Sequence, residues 1–418
     1  MKAYIFFICF IFVSFIDSIS FAGLPTNSSF PRIFGMNIGR PNNYDASGKI
    51  RNMSKCDILV LNFWPRWKDY KYGKNSIRSF VAAVKDYNPN VIIGQYTILN
   101  ESQLKDDVNN DRIQKIEKEN WWLRNNRGER LQWTNKYRAW DINITTFARP
   151  DNRGMYYPEW LAHRNYSIFF EKVPEFDFWY LDNSLNTPPS PPGNWYLDGV
   201  NRPSTDENVA KAYRKGHVLY WTTIRKLQPY AMLIGNSDNL ESVEYSCKLN
   251  GAFLEAIIGK IWSIETRKGW LAMQKKYYSF MDNTLPPKIV GFNVWGRADD
   301  YQKMRYGLAS CLMNDGYFSY TDETKGYSEV IWFDEFDVDL GQPIDPPPTA
   351  AWRSGVYRRQ FEKGLVLVNP TKQKQVVAIE LGYRRIKGRQ VPALNNGKAV
   401  QSLVLPPKDG AILLRHMD

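Results

Sequence analysis

Phe178-Trp179-Tyr180-Leu181-Asp182-Asn183 is an aromatic, apolar run that stops abruptly at a carboxylate and an amide. A Pro/Gly-rich loop follows, Thr187-Pro188-Pro189-Ser190-Pro191-Pro192-Gly193-Asn194-Trp195, and then a long amphipathic pattern. An apolar run bounded by turn residues suits a strand buried on both faces of a parallel sheet. An Asp at the C-terminal end of such a strand stands where barrel enzymes carry their chemistry.

Seven more strand candidates flank this one. Arg32–Asn37, Cys56–Trp64 and Asn90–Thr97 precede it; Tyr230–Asn236, Gly251–Glu255, Lys288–Gly296 and Asp315–Tyr320 follow. Helical patterns separate most of them: Lys74 to Tyr87, then Val209, Tyr213, Tyr220, Ile224 and Leu227 at helical spacing, then Ser263 to Met281. A last helix opens on Asp299 and Asp300, where the helix dipole favours acids, and turns Tyr301, Met304, Leu308 and Cys311 inward. The alternation predicts an α/β fold, a (β/α)8 TIM barrel over residues 23–344. Asp57, at the start of its strand, belongs to the opposite end of the barrel and reads as structural.

Residues 98–175 are too many for a simple loop. They hold a charged helical pattern from Ser102 to Glu119, the pair Trp121-Trp122, Trp133, Ala139–Asn143 and a helix from Tyr157 to Lys172. We expect an insertion over the barrel mouth, with Asp141 and its aromatic neighbours as sugar contacts; packing of those aromatics onto the barrel has equal weight. From Asp339 the composition shifts, through Gly341-Gln342-Pro343 to Pro346-Pro347-Pro348, and short β runs follow at Gly364–Asn369, Gln375–Glu380 and Gly410–Leu414. Residues 345–418 therefore read as a small antiparallel β-sandwich domain that buttresses the barrel.

The N-terminal 1–22 have the form of a signal peptide: Lys2, an apolar run from Tyr4 to Ile16, and the small-x-small Ser20-Phe21-Ala22. A secreted or periplasmic protein with no membrane span is expected. The formal charge of +12 stays unchanged when Lys2 and Asp17 leave. It favours anionic polymers or surfaces, but the basic residues are spread along the chain, which argues against a nucleic-acid partner. Three scattered His and four Cys, one of them in the leader, give no metal-ligand pattern, so neither a metal nor a cofactor is expected. Fifteen Trp among 418 residues supply flat faces suited to sugar rings.

Glycosidic cleavage needs two carboxyl groups flanking the bond, one ionised and one protonated. Asp182 and Glu255 stand at the exits of the fourth and sixth strands and would face one cleft. We assign Asp182 as nucleophile and Glu255 as general acid/base of a retaining mechanism. A loop cap for Asp182, or a rim ion pair for Glu255, is the structural alternative; two acids on one face tilt the balance towards chemistry. Asn37, Asn62, Trp64, Gln95, Tyr96, Asp141, Asn183, Asn236 and Trp295 are the candidate substrate-binding residues. Asp238, Glu241, Glu244, Asp322 and Glu323 are weaker candidates, equally suited to capping.

Trp179-Tyr180-Leu181-Asp182-Asn183 resembles the strand-four motif of barrel glycosidases that cleave α-linked galactosides and α-galactosaminides. That resemblance implies a nucleophilic Asp at this position and an acid at the sixth strand. Arg305–Ser310, Asp315–Tyr320 and Phe361–Pro370 are similar to a family of bacterial glycosyl hydrolases with a barrel and a C-terminal β domain. The expected activity is hydrolysis of a polysaccharide or oligosaccharide. A non-catalytic glycan-binding protein on the same scaffold is the alternative, while a metal-dependent esterase is disfavoured by the shortage of His.

Overall fold

The structure, a computed structural model, describes residues 29–38, 47–62, 76–104 and 110–416. The leader expected over residues 1–22, and Trp64, lie outside them. In chain order the barrel comprises β1 (Phe34–Asn37), α1 (Ser47–Ser54), β2 (Ile58–Leu61), α2 (Ile77–Tyr87) and β3 (Ile92–Ile98). An insertion follows, with β4 (Glu101–Gln103), α3 (Asn110–Lys118), β5 (Ala139–Asp141), α4 (Tyr157–Asn165) and a π-helical turn, Tyr166–Phe170. The barrel resumes with β6 (Phe178–Asp182), α5 (Glu207–Leu227), β7 (Met232–Gly235), β8 (Gly251–Ile258), α6 (Ile264–Lys268), α7 (Trp270–Asp282), β9 (Ile289–Gly296), α8 (Tyr301–Cys311) and β10 (Tyr317–Asp322).

Eight strands pair in parallel in the order β1-β2-β3-β6-β7-β8-β9-β10. The cylinder closes through a parallel bridge between Ile33 and Phe318, where the Phe318 N–H donates to the Arg32 carbonyl at 2.7 Å. The expected barrel is therefore the observed one. Some boundaries differ for local reasons. Gly269, at φ 86°, breaks the single helix read over 263–281 into α6 and α7. Between β7 and β8 the chain crosses in turns, without a helix. Ser102 and Gln103, read as the start of the charged helix, pair instead as a strand with β5, and the helix described there is α3. β8 continues past Glu255 to Ile258, with a bulge between Leu254 and Ile258.

Strand parity decides which side chains meet inside. Phe34, Met36, Ile58, Val60, Ile92, Phe178, Tyr180, Met232, Ile234, Phe253, Ile289 and Tyr317 form one buried cluster, the barrel interior. The residues between them face the helices: Trp179 stacks on Phe170 at 3.9 Å and donates its indole N–H to Gln228 at 2.7 Å. Room inside is tight. A Cβ on Gly94 would come within 2.2 Å of the Phe178 ring, so that position has to stay bare.

β11 (Tyr357–Phe361), β12 (Gly364–Asn369), β13 (Gln375–Ala378), β14 (Tyr383–Arg385), β15 (Ser402–Leu405) and β16 (Asp409–Arg415) complete the chain. They pair as a four-stranded antiparallel sheet, β11-β12-β16-β14, and a two-stranded one, β13-β15. This unit lies against α8. Arg305 of α8 grips Asp409 with two hydrogen bonds, 3.0 and 2.8 Å, and a Cβ on Gly410 would sit 2.4 Å from that of Ala309. Such close approach is that of a packed interface and not of a tethered module.

Candidate active site

Inward parity continues past the apolar cluster to the C-terminal mouth. On β6, Phe178 and Tyr180 are followed by Asp182; on β7, Met232 and Ile234 by Asn236; on β8, Phe253 by Glu255. Three neighbouring strands thus deliver an acid, an amide and an acid. The Asn236 side-chain nitrogen donates to Asp182 Oδ1 at 2.9 Å and to Glu255 Oε2 at 3.0 Å. Those two oxygens therefore lie no more than about 5.9 Å apart. With the amide hydrogens roughly 120° apart the separation is about 5 Å.

Each carboxyl has a second support. Tyr96, inward on β3, donates its hydroxyl to Asp182 Oδ2. Tyr327, on a 3-10 turn (Gly326–Ser328) beyond β10, donates to Glu255 Oε1 at 2.9 Å. Both acids are half-buried, and burial pushes both above the usual carboxylate range. On Asp182 the hydrogen bonds from Tyr96, Asn236 and the Asn183 backbone pull the other way. Glu255 carries a further upward push from the charge of Asp182, opposed by Asn236, Tyr327 and Lys136. The two carboxyl groups thus share the upward push of burial and differ in the charges and hydrogen bonds set against it.

The remaining candidates divide by face. Trp295 is inward on β9, donates its indole N–H to the Tyr327 hydroxyl at 3.3 Å, and carries Lys260 over its ring at 4.1 Å. It belongs to the site. Asn62 is buried just beyond β2 on the inward parity. Asn37 and Gln95 have the opposite parity and are corrected accordingly. Asn37 rests its amide 3.4 Å from Met53 in α1, and Gln95 shares a face with Trp179. Both point to the helical layer, as side-chain alternation along a strand requires. Asn183 takes φ 51°, which turns the chain off the strand. Asp141 pairs with Glu101 across β4 and β5. Asp238 and Glu244 hold Asn186 and Arg214, and Asp322 caps Thr324: all three brace loops. Asp57 accepts from the Ile33 N–H at 2.7 Å at the far end of the barrel.

The structure also brings in residues that the sequence reading missed. Tyr327 carries no motif. Glu101 stands one residue before the charged pattern that begins at Ser102 and carries no motif; it accepts the indole N–H of Trp133, and burial, with Asp182 and Asp141 nearby, pushes it up to about 7. Asp141 is pushed up to about 6, chiefly by burial. Among the described residues, no group of His, Cys, Asp and Glu has the arrangement of a metal centre.

A parallel barrel with two differently supported carboxyl groups across one gap at its C-terminal mouth is the layout of a glycoside hydrolase. The chain belongs to the hypothetical glycosyl hydrolase family 15, whose profile matches residues 80–365. This family is the kind to which the motifs pointed. No curated protein matches the sequence. Among solved structures it is similar to an Anoxybacillus α-amylase (10% identity, TM-score 0.49), over 93% of this chain and 98% of that one. It is similar to the glycoside hydrolase domain of PelA from Pseudomonas aeruginosa (12%, 0.45), over 72% and 98%. An α-galactosidase from Lactobacillus brevis is a third (11%, 0.47), over 94% and 56%.

Proposed function

We propose that the protein is an exported glycosidase that cleaves a polysaccharide with retention of anomeric configuration. The observation that carries this reading is the single amide shared by Asp182 and Glu255, which sets a separation of about 5 Å. Retaining enzymes hold their carboxyl groups about 5–5.5 Å apart, and inverting ones leave about 6.5–9.5 Å for a water. In the first step Asp182 attacks the anomeric carbon as the glycosidic C–O bond breaks, and Glu255 gives its proton to the departing oxygen. In the second, Glu255 takes a proton from water, whose oxygen attacks the same carbon and releases Asp182. Tyr96 and Asn236 support the charge on Asp182 before attack and after release. The leader-like residues 1–22 support export, and the fifteen Trp support a sugar polymer.

The test is hydrolysis of a panel of polysaccharides, read by reducing ends, with wild type, Asp182→Asn and Glu255→Gln. Each substitution should cost at least about 100-fold, the lower end for a positioned proton donor. Proton NMR of the first-formed product should show the anomer of the substrate. Wild-type turnover by either variant, or inverted product, refutes the assignment.

A further inference from the structure

We propose that Asn236 is the positioning residue of the catalytic pair, its side-chain amide fixing the spacing of Asp182 and Glu255 and tuning how they share one proton. The inference rests on the glycosidase reading of that pair. Its ground is the place of Asn236 in the sheet. β7 runs between β6 and β8 in the sheet order, so the residue at its exit stands between the two acids. The backbone there is clipped twice to the end of β6: the Asn236 N–H donates to the Leu181 carbonyl at 2.9 Å, and the Asn236 carbonyl accepts the Ser184 N–H at 2.8 Å. The side chain therefore starts from a fixed point. Both amide hydrogens are spent on carboxylate oxygens, at 2.9 and 3.0 Å, so Asn236 is tied to the catalytic acids and is not available as a donor to a sugar hydroxyl.

An amide that donates to both groups favours the ionised form of each. It opposes the burial that would otherwise leave Asp182 protonated and inert. It also prevents Glu255 from holding its proton too tightly to release. Removing the amide should therefore move both titrations to higher pH, as well as loosening the geometry.

Asn236→Ala tests this. The expected kcat falls on the order of 100-fold with KM changed by less than about threefold, a misplacement of reacting groups and not of binding. Both limbs of the pH profile of kcat/KM, which report the free enzyme, should shift to higher pH. A second measurement needs no turnover. Since Asn236→Ala raises the folded-state titration of both acids, its melting temperature should fall more steeply than wild type between about pH 4 and 8. The extra slope should vanish in the Asp182→Asn/Glu255→Gln background. Asn236→Ser, which keeps one donor, takes the reading if the alanine protein does not fold, and its shifts should be smaller in the same direction. A lower kcat with unmoved limbs, or an unchanged melting slope, overturns the proposal. Absence of wild-type turnover together with the extra slope would leave the amide's coupling standing and remove the glycosidase reading instead.

Discussion

Glu101→Gln is the perturbation whose size the structure fixes most directly. Glu101 is 8% exposed, and burial, Asp182 and Asp141 push it from an ordinary 4.5 to about 7. A raised carboxyl binds its proton more tightly when folded than when unfolded. The stability it adds is therefore fully present below about pH 4.5 and is lost as pH rises to about 7. The shift corresponds to about 3–4 kcal/mol, at about 1.4 kcal/mol per pH unit, nearly all of it lost between about pH 4 and 8. Glutamine keeps the shape and the oxygen that accepts the Trp133 indole N–H, but it does not titrate. The assay is urea unfolding of both proteins near pH 4 and near pH 8. Wild type should lose about 3 kcal/mol more than the variant over that interval, so that the variant gains relative stability at the higher pH. Parallel loss in the two proteins would refute the reasoning, since it would mean that Glu101 ionises in the folded protein at no cost.

Two further substitutions test the packing. Trp179→Ala removes a buried indole stacked on Phe170 and hydrogen-bonded to Gln228, and should cost about 3–5 kcal/mol by denaturant unfolding; a loss below about 1 kcal/mol would refute tight packing between β6 and its helical cover. Arg305→Ala leaves Asp409 buried without the partner that grips it, and should cost about 3–5 kcal/mol. Cleavage between barrel and β unit by limited proteolysis should also speed up, whereas an unchanged digestion rate would mean that the contact with α8 does not hold the two together.

How much of this was legible in the sequence follows from the range of each interaction. The barrel strands are short apolar runs whose signal is local, and all eight could be read. The pair Asp182 and Glu255 was legible because an acid at a strand exit is a local pattern repeated twice. Parity is legible too: counting by twos from Phe178 reaches Asp182, and from Met232 reaches Asn236, whereas Asn37 lies one residue off from Phe34 and Met36. Gln95 fails the same count from Ile92. Tyr327 could not be found this way, since it reaches Glu255 from a turn beyond the last strand. Glu101 was hidden for another reason. Its partner Asp141 is forty positions away, and a charged stretch of good helix formers outweighs a three-residue ladder that only tertiary contact reveals.

The pairing of Glu101 with Asp141 also changes what the insertion is. Two of its cations are engaged elsewhere, Lys115 with Asp151 and Arg164 with Asp111, while Arg112 donates to the Glu101 backbone carbonyl at 2.8 Å and its charge lowers the Glu101 carboxyl. Glu101 is left beside Asp182 with an indole as its hydrogen-bond donor, while Lys136, from the same insertion, lowers Glu255. Electrostatic coupling is reciprocal, so a charge that Asp182 imposes on Glu101 is one that Glu101 returns. Ionising Glu101 makes the ionised form of Asp182 costlier, and the Lys136 ammonium makes the ionised form of Glu255 cheaper. The segment thus acts on the Asp182 and Glu255 carboxyl groups with opposite signs. A cover that only excluded solvent would raise both. The insertion is therefore part of the titrating site, and exchanging it for a neutral loop should alter the pH profile and not merely the access of substrate.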